Sequence, residues 1–474
     1  MFKKYKYQKV GKILTKILKK FQRNRIIFSI PYLHFVRQHP KFSFIYPEVF
    51  VNSKSKDNSY SLIRKINKNI RLIFQAGENK KIKLLKKKEV IIISNLINID
   101  NYKTNNNHYT DDLAAILNKK KISTLTIFRN FTNKAPNYFK KSNNKFILPK
   151  LNYISWEIFT LIKIIKEKYQ IIIKYKKYLD NVNDDNLYFF KKSLNLINLI
   201  GAISSLRIST QIKNIIKQIK PKVLFLPIEG HAWEKVLIRD LKEEFKNLKI
   251  IGIHFSSIIN NDFTIRQNLS KIFQPDFLIC NKYHNYEIIK KNNIFRKSKI
   301  LFNNLKKEKE YKKKIVKSYR EIKCLVTPEL NFSEVIHFIK LVKKILKEDD
   351  SIKFTIKLHP STPKKEVDKI TKLQSKSIKL SKSKSMLIEY NNHNIIMYRG
   401  STTCFDAAMN GLWLMYYDKD NFNINPLHEL NLNYNNFSDE FEFLKIVKKL
   451  KKLKKKENKY FNHNQNQNFI NEIF

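Results

Sequence analysis

Short β-branched runs alternate with amphipathic helical patterns through most of this chain, and that rhythm leaves few folds open. "EVIIISNL" (89–96) has the length and composition of a buried strand. "HYTDDLAAILNKK" (108–120) follows as a helix with Thr110 near its cap, and "STLTIF" (123–128) reads as the next strand. Residues 151–180 and 186–219 read as two long helices. "KVLFLPIEGHAWEKVLIRDLKEEF" (222–245) spells strand, turn and helix, and "KIIGIHFS" (249–256) another strand. Strands separated by helices pair in parallel, because a parallel connection needs a crossover of about a dozen residues or more, usually a helix.

The alternation then restarts. "PDFLICN" (275–281) is a strand and "HNYEIIKKNN" (284–293) a helix. "IKCLVTPEL" (322–330) is a strand with its exit loop, ahead of a helix over 333–347. "IKFTIKLHPSTPKKEVDKI" (352–370) is strand, loop and helix, with Pro363 suited to the first helical turn. "NIIMYRGSTTCFDAAMNGLWLMYY" (394–417) is strand, turn, short helix and strand. The expected fold is α/β and GT-B-like, with two doubly wound Rossmann-like domains facing each other across a cleft. The expected divisions are a basic, partly helical extension (1–87), an N-terminal α/β domain (88–260) carrying the long helical insertion 151–219, a C-terminal α/β domain (261–430) and a basic helical tail (431–474).

Lys and Arg number 94 against 40 Asp and Glu, a formal charge of +54, while 42% of residues are hydrophobic, which excludes a disordered chain. Lys, Asn and Ile are over-used in loops and helices alike, the imprint of AT-rich coding, and an anionic membrane surface is the functional alternative. Two stripes fit either origin. Val10, Ile13, Leu14, Ile17, Leu18 and Phe21 form one, and Leu444, Val447, Leu450 and Leu453 the other, each with lysines on the opposite face. Packing on the protein itself and lying on a membrane produce the same pattern. No zinc finger, RNP-like aromatic motif or helix-turn-helix signature appears, so no specific nucleic-acid partner is expected. Three scattered cysteines (Cys280, Cys324, Cys404) suit a reducing cytosol, and no apolar run reaches the roughly 18 residues of a spanning helix. A cytoplasmic protein is expected, at most peripheral on the inner face of the membrane.

In open α/β sheets the ligand sits beyond the C-terminal ends of the strands, so polar residues just after an apolar strand carry the chemistry. Three loops qualify. In "PIEGHAWE" (227–234), Glu229 leaves the strand directly and is the candidate general base. Gly230 lets the backbone turn and admits a ligand. Glu234 either joins the site or balances the positive helix end. Trp233 reads as core, and His254, ending the next strand, is a candidate for the acceptor side of the cleft. In "KLHPSTP" (357–363), His359 and Pro360 stand at a strand exit, where a His can face a phosphate. In "YRGSTTCF" (398–405), Gly400 turns the chain and Ser401, Thr402 and Thr403 open a helix, whose free N–H groups and hydroxyls suit a phosphate or serve as ordinary caps. Gly411 is the expected left-handed stop.

Base on one side and phosphate-binding elements on the other are the layout of a nucleotide-sugar glycosyltransferase. In such a site the acceptor hydroxyl gives its proton to Glu229, and His359 with residues 401–403 stabilises the departing phosphate. No metal or other cofactor is expected, and in-line attack inverts the anomeric centre. The quoted segments resemble bacterial surface carbohydrate biosynthesis proteins of the O-antigen and capsule type. More distantly they are similar to GT-B sialyltransferases, polysialyltransferases and CDP-glycerol glycerophosphotransferases, which share an acidic-Gly motif, a His-Pro motif and a Ser/Thr pair. The resemblance spans roughly 88–430. It implies Glu229 as base and His359-Pro360 with Ser401-Thr402 as holders of the donor phosphate. It also implies a nucleotide-sugar donor and a glycan or lipid-linked glycan acceptor. Where the sialyltransferase motif has a second acid, this chain has Ile228. Three rival readings stand beside it: a metal-dependent transferase using Asp418-x-Asp420, a nucleic-acid-binding protein, and a non-catalytic or epimerase-like protein of the same pathway.

Overall fold

The computed structural model describes residues 2–34, 87–97, 99–103, 110, 113–132, 134, 138–139, 142–179, 184–258, 262–303, 321–329, 332–359, 362–383, 385–419, 424–430, 433–452 and 472–474. Its frame is two all-parallel sheets. The first contains β1 (Val90–Leu96), β2 (Thr124–Asn130), β3 (Lys145–Ile147), β4 (Val223–Pro227), β5 (Lys249–His254), β6 (Phe277–Cys280) and β7 (Lys299–Phe302), in the order β3-β2-β1-β4-β5-β6-β7. The second contains β8 (Lys323–Thr327), β9 (Lys353–Ile356), β10 (Ile378–Leu380), β11 (Ile395–Tyr398), β12 (Trp413–Tyr417) and β13 (Asn435–Phe437), in the order β10-β9-β8-β11-β12-β13. In each sheet the chain winds outward one way from its first strand, then crosses back and winds the other way. The reversal leaves a switch point between β1 and β4 in one sheet and between β8 and β11 in the other, with Val90 opposite Val223 and Ile395 opposite Cys324. The central strands are buried on both faces, which is why they read as continuous apolar runs rather than alternating ones. The expected pair of doubly wound, GT-B-like α/β units is what forms.

The division between the units differs from the expected one at 261. β6 pairs with β5 (His254 opposite Cys280) and β7 with β6, so both belong to the first sheet, and the second begins only at β8. The apparent restart at 275 is one more strand-helix-strand step, and pairing, which decides the sheet, is not local in sequence. The helix expected over 186–219 is two, Asp184–Ser193 and Leu196–Ile219, because the Asn195 side chain accepts the Asn198 N–H and caps the second. Pro363 stands at the cap of helix Lys364–Thr371 rather than inside its first turn.

Both basic amphipathic stripes pack on the protein. Helix Phe2–Lys20 buries Val10, Ile13, Leu14, Ile17 and Leu18 in one apolar core with Tyr32, Leu33, Phe189 and Phe190, packed on the helices Pro31–His34 and Asp184–Ser193, and Phe21 stacks on Phe190 with centroids 5.2 Å apart. Helix Glu440–Lys452 buries Phe443, Val447 and Leu450 against Phe338, Phe354 and Phe437; Leu453 lies outside the described residues. The two units share one apolar core, in which Ile91, Leu226 and Ile228 of the first join Ile396, Tyr398 and Phe405 of the second. Segment 424–430 returns to the first unit, where the Glu429 carboxylate pairs with Arg266 at 2.6 Å and accepts from Asn292 at 3.1 Å.

Candidate functional site

The loop after β4 is built around its two carboxylates. Glu234, at the third position of helix Ala232–Glu244, reaches back so that one oxygen, Oε2, accepts the N–H groups of Glu229 (2.9 Å), Gly230 (2.8 Å) and His231 (3.0 Å). This is the acidic half of a capping box extended over a whole turn. Those N–H groups favour the charged form, but burial and then the nearby charge of Glu229 outweigh them and push the carboxyl up to about 8. Glu234 thus closes the loop, as its position near the helix end allowed. Gly230 has φ +84°, and a side-chain carbon there would lie 2.6 Å from the Thr264 carbonyl oxygen. The space a ligand was expected to enter holds the neighbouring loop. His254 is fully buried and bonds the Ile228 carbonyl through Nδ1 at 2.6 Å. A carbonyl only accepts, so Nδ1 carries the proton and the ring braces the residue before Glu229 from below. Trp233 is core, with the Arg129 guanidinium 3.9 Å from its ring centroid.

Glu229 stands at the strand exit, with Ser256 donating both its N–H (3.1 Å) and its hydroxyl to the carboxylate. It is largely buried and follows β4, one of the two strands that flank the switch point of the first sheet.

The second unit repeats the device. Thr327 ends β8, Pro328 follows, and Glu329 donates its N–H to Glu334 at 3.4 Å. Burial and then the Glu329 charge push Glu334 up to about 8, and the charge of Arg399 opposes them. The spacing Glu229…Glu234 recurs as Glu329…Glu334, each pair just beyond a strand ending next to Pro227 or Pro328. Gly400 lies directly under Glu329, whose carboxylate occupies the place of the missing side chain. From there the Ser401 and Thr403 hydroxyls share a hydrogen bond of 2.9 Å, and Thr403 donates to the Thr327 hydroxyl at 3.0 Å. This line of hydroxyls bridges β11 to β8, across the switch point of the second sheet. Thr402 takes the cap position of helix Thr403–Met409 without a side-chain cap bond and is exposed. Gly411 has φ +74° and forms the expected stop: Leu412 donates to Ala407 and Gly411 to Ala408, both at 3.0 Å. His359 is exposed beyond β9, on the same edge of this sheet, and its carbonyl accepts the Thr362 N–H at 2.9 Å. Pro360 and Asp420 lie outside the described residues.

Two residues that the motifs did not single out join the loops across the units. His284, just after β6, stacks on Phe405 with centroids 3.7 Å apart and planes 3° from parallel, and its Nε2 lies 3.2 Å from the Ser257 hydroxyl. Burial first, then the charge of Lys282, holds this imidazole well below its usual range, so it is neutral. The Lys282 ammonium donates to Ser257 at 3.3 Å and lies 5.8 Å from the Phe255 ring and 5.9 Å from Phe405. Contacts run from Glu229 to Ser256 and, through the adjacent Ser257, to His284 and Lys282, and on to Phe405, which lies in the helix that Thr403 opens. The signal in sequence was the polar run "NKYHN" (281–285) after an apolar strand.

No family model matches this chain, and no curated protein matches it. Among solved structures it is similar to a UDP-GlcNAc 2-epimerase from Methanocaldococcus jannaschii, at 12% identity over 77% of this chain and 94% of that one, with a TM-score of 0.43. It is also similar to CalG4, the calicheamicin glycosyltransferase, at 8% identity over 77% and 90% with a TM-score of 0.43. A third likeness is to S. aureus MnaA in its co-structure with UDP, at 10% identity over 77% and 88% with a TM-score of 0.42. Likenesses this distant assign no activity.

Proposed function

We propose that this chain is a glycosyltransferase of bacterial surface polysaccharide synthesis. It moves a sugar from a nucleotide-activated donor to a glycan or lipid-linked glycan, without a metal ion and with inversion. The observation that supports this reading is the pair of switch points. Doubly wound sheets bind ligands there, and here one carries a carboxylate beside it and the other a line of hydroxyls, joined through His284 and Phe405. Glu229, held by Ser256, takes the proton of the acceptor hydroxyl as that oxygen attacks the anomeric carbon. Negative charge then grows on the departing nucleotide phosphate. Lys282, His359 and the turn Gly400–Thr403 supply the cation and the donors that meet it. Gly230, Glu234 and His254 hold the base loop in shape rather than touch substrate.

Calorimetric titration with a panel of nucleoside diphosphates tests the donor half. Lys282→Ala and Thr403→Val are expected to weaken the bound nucleotide by about tenfold each. No binding by any nucleotide, or binding indifferent to both substitutions, would sink the assignment. Conversion of a nucleotide sugar to its epimer with no acceptor present would replace transfer by epimerisation.

A further inference from the structure

The helix Ile154–Leu179 carries an apolar face that the fold leaves in water. Ile154, Ile158, Ile162, Ile165, Tyr169 and Ile173 are between 37% and 63% exposed. At about 100° per residue they fall within an arc of roughly 100°. A separate face of the same helix buries Ile164 and Ile171 among the helices of the first unit. The stripe is therefore not the face that packs the helix. It and its two neighbours Tyr153 and Phe159 make up half of the exposed large hydrophobic residues among those described, eight of sixteen. Monomeric soluble proteins rarely leave such a contiguous patch without a use.

Charge identifies the occupant. Lys163 and Lys166 lie along one flank of the stripe and Lys168 along the other. Near the start of the helix, the lining of an open cavity of about 810 Å³ includes Arg23, Arg25, Trp156, Phe159 and Lys163, with Glu167 its one acidic residue. Arg25 is committed to Asp240 at 2.6 Å, and Lys163 approaches Glu167 only at 3.9 Å, while Arg23 is exposed. An apolar stripe with lysines on both flanks is self-repelling toward a second copy of itself, since a two-fold contact sets lysine against lysine. It is complementary to phosphate head groups above acyl chains. We propose that this helix docks the protein on an anionic lipid bilayer, with the isoleucine stripe among the acyl chains and Arg23, Lys163 and Lys166 at the phosphates. The terminal basic stripes, whose apolar faces are buried in the protein, do not serve this role. The inference is independent of the reaction assigned above.

The test is co-sedimentation of the full chain with extruded vesicles, of phosphatidylcholine alone or with roughly one third phosphatidylglycerol. Binding is expected only with the anionic lipid. Ile162→Glu with Tyr169→Glu, and separately Lys163→Glu with Lys166→Glu, are each expected to lower partitioning at least about tenfold. Both variants are expected to keep the wild-type thermal midpoint. Lys445→Glu with Lys448→Glu makes the same charge change on helix Glu440–Lys452 and is expected to leave partitioning within about twofold. Equal binding by all variants, or equal loss in the Lys445/Lys448 control, overturns the proposal. So does a wild-type dimer that the Ile162/Tyr169 variant converts to monomer, because the face then belongs to a second copy.

Discussion

Replacing Glu234 by Gln separates the shape of the base loop from its charge. The carboxyl is pushed from the ordinary 4.5 up to about 8, so between those values the folded protein holds a proton that the unfolded chain has released. The sign follows. The stability is fully present below about 4.5 and is lost as pH rises toward about 8, at up to about 1.4 kcal/mol per pH unit. From pH 5 to pH 8 that amounts to about 4 kcal/mol. Gln keeps a carbonyl oxygen for the three N–H groups of residues 229–231 and cannot titrate. Its NH₂ group meets the buried position of Oε1, a cost that does not vary with pH. Urea midpoints of wild type and Glu234→Gln, measured from pH 5 to pH 8 at constant ionic strength, should therefore diverge in favour of the variant by about 4 kcal/mol. Parallel pH profiles would refute the claim that burial and Glu229 outweigh the three donors.

Two further substitutions probe the frame of the site. Gly230→Ala places a methyl at a left-handed backbone and 2.6 Å from the Thr264 carbonyl oxygen, and should cost about 2–4 kcal/mol in urea unfolding. Phe405→Ala removes the ring stacked on His284 and leaves a hole between the units; a loss of about 3–5 kcal/mol is expected by the same assay.

The strands with long apolar runs were legible: β1, β4, β5, β8, β11 and β12 all lie within the stretches read as strands. β3, β10 and β13 were not, since three residues such as "IKL" or "NNF" carry too little pattern to stand out, and β7, "KILF", was missed although it is as long as β11. Membership of a sheet was hidden for a different reason. β6 and β7 look locally like the strands of either unit, and only their partners place them in the first. Gly230 and Gly400 were legible as points of close approach, but not what approaches them, because Thr264 and Glu329 come from distant parts of the chain. The hydroxyls of 401–403 were read as caps or ligands, and Ser401 and Thr403 instead form a line to Thr327, which no motif contained. Lys282 and His284 belong to no motif either; only the meeting of the two units gives them a role.

The central claim is that Glu229 and the Thr327–Thr403 hydroxyls serve one transfer reaction across the interface between the units. Nucleotide release from a panel of nucleotide sugars with polysaccharide acceptors, measured for wild type and Glu229→Gln, tests it most directly. The account predicts a donor whose affinity is unchanged in the variant while kcat falls by about 10²–10⁴-fold. Turnover by Glu229→Gln equal to wild type would contradict it.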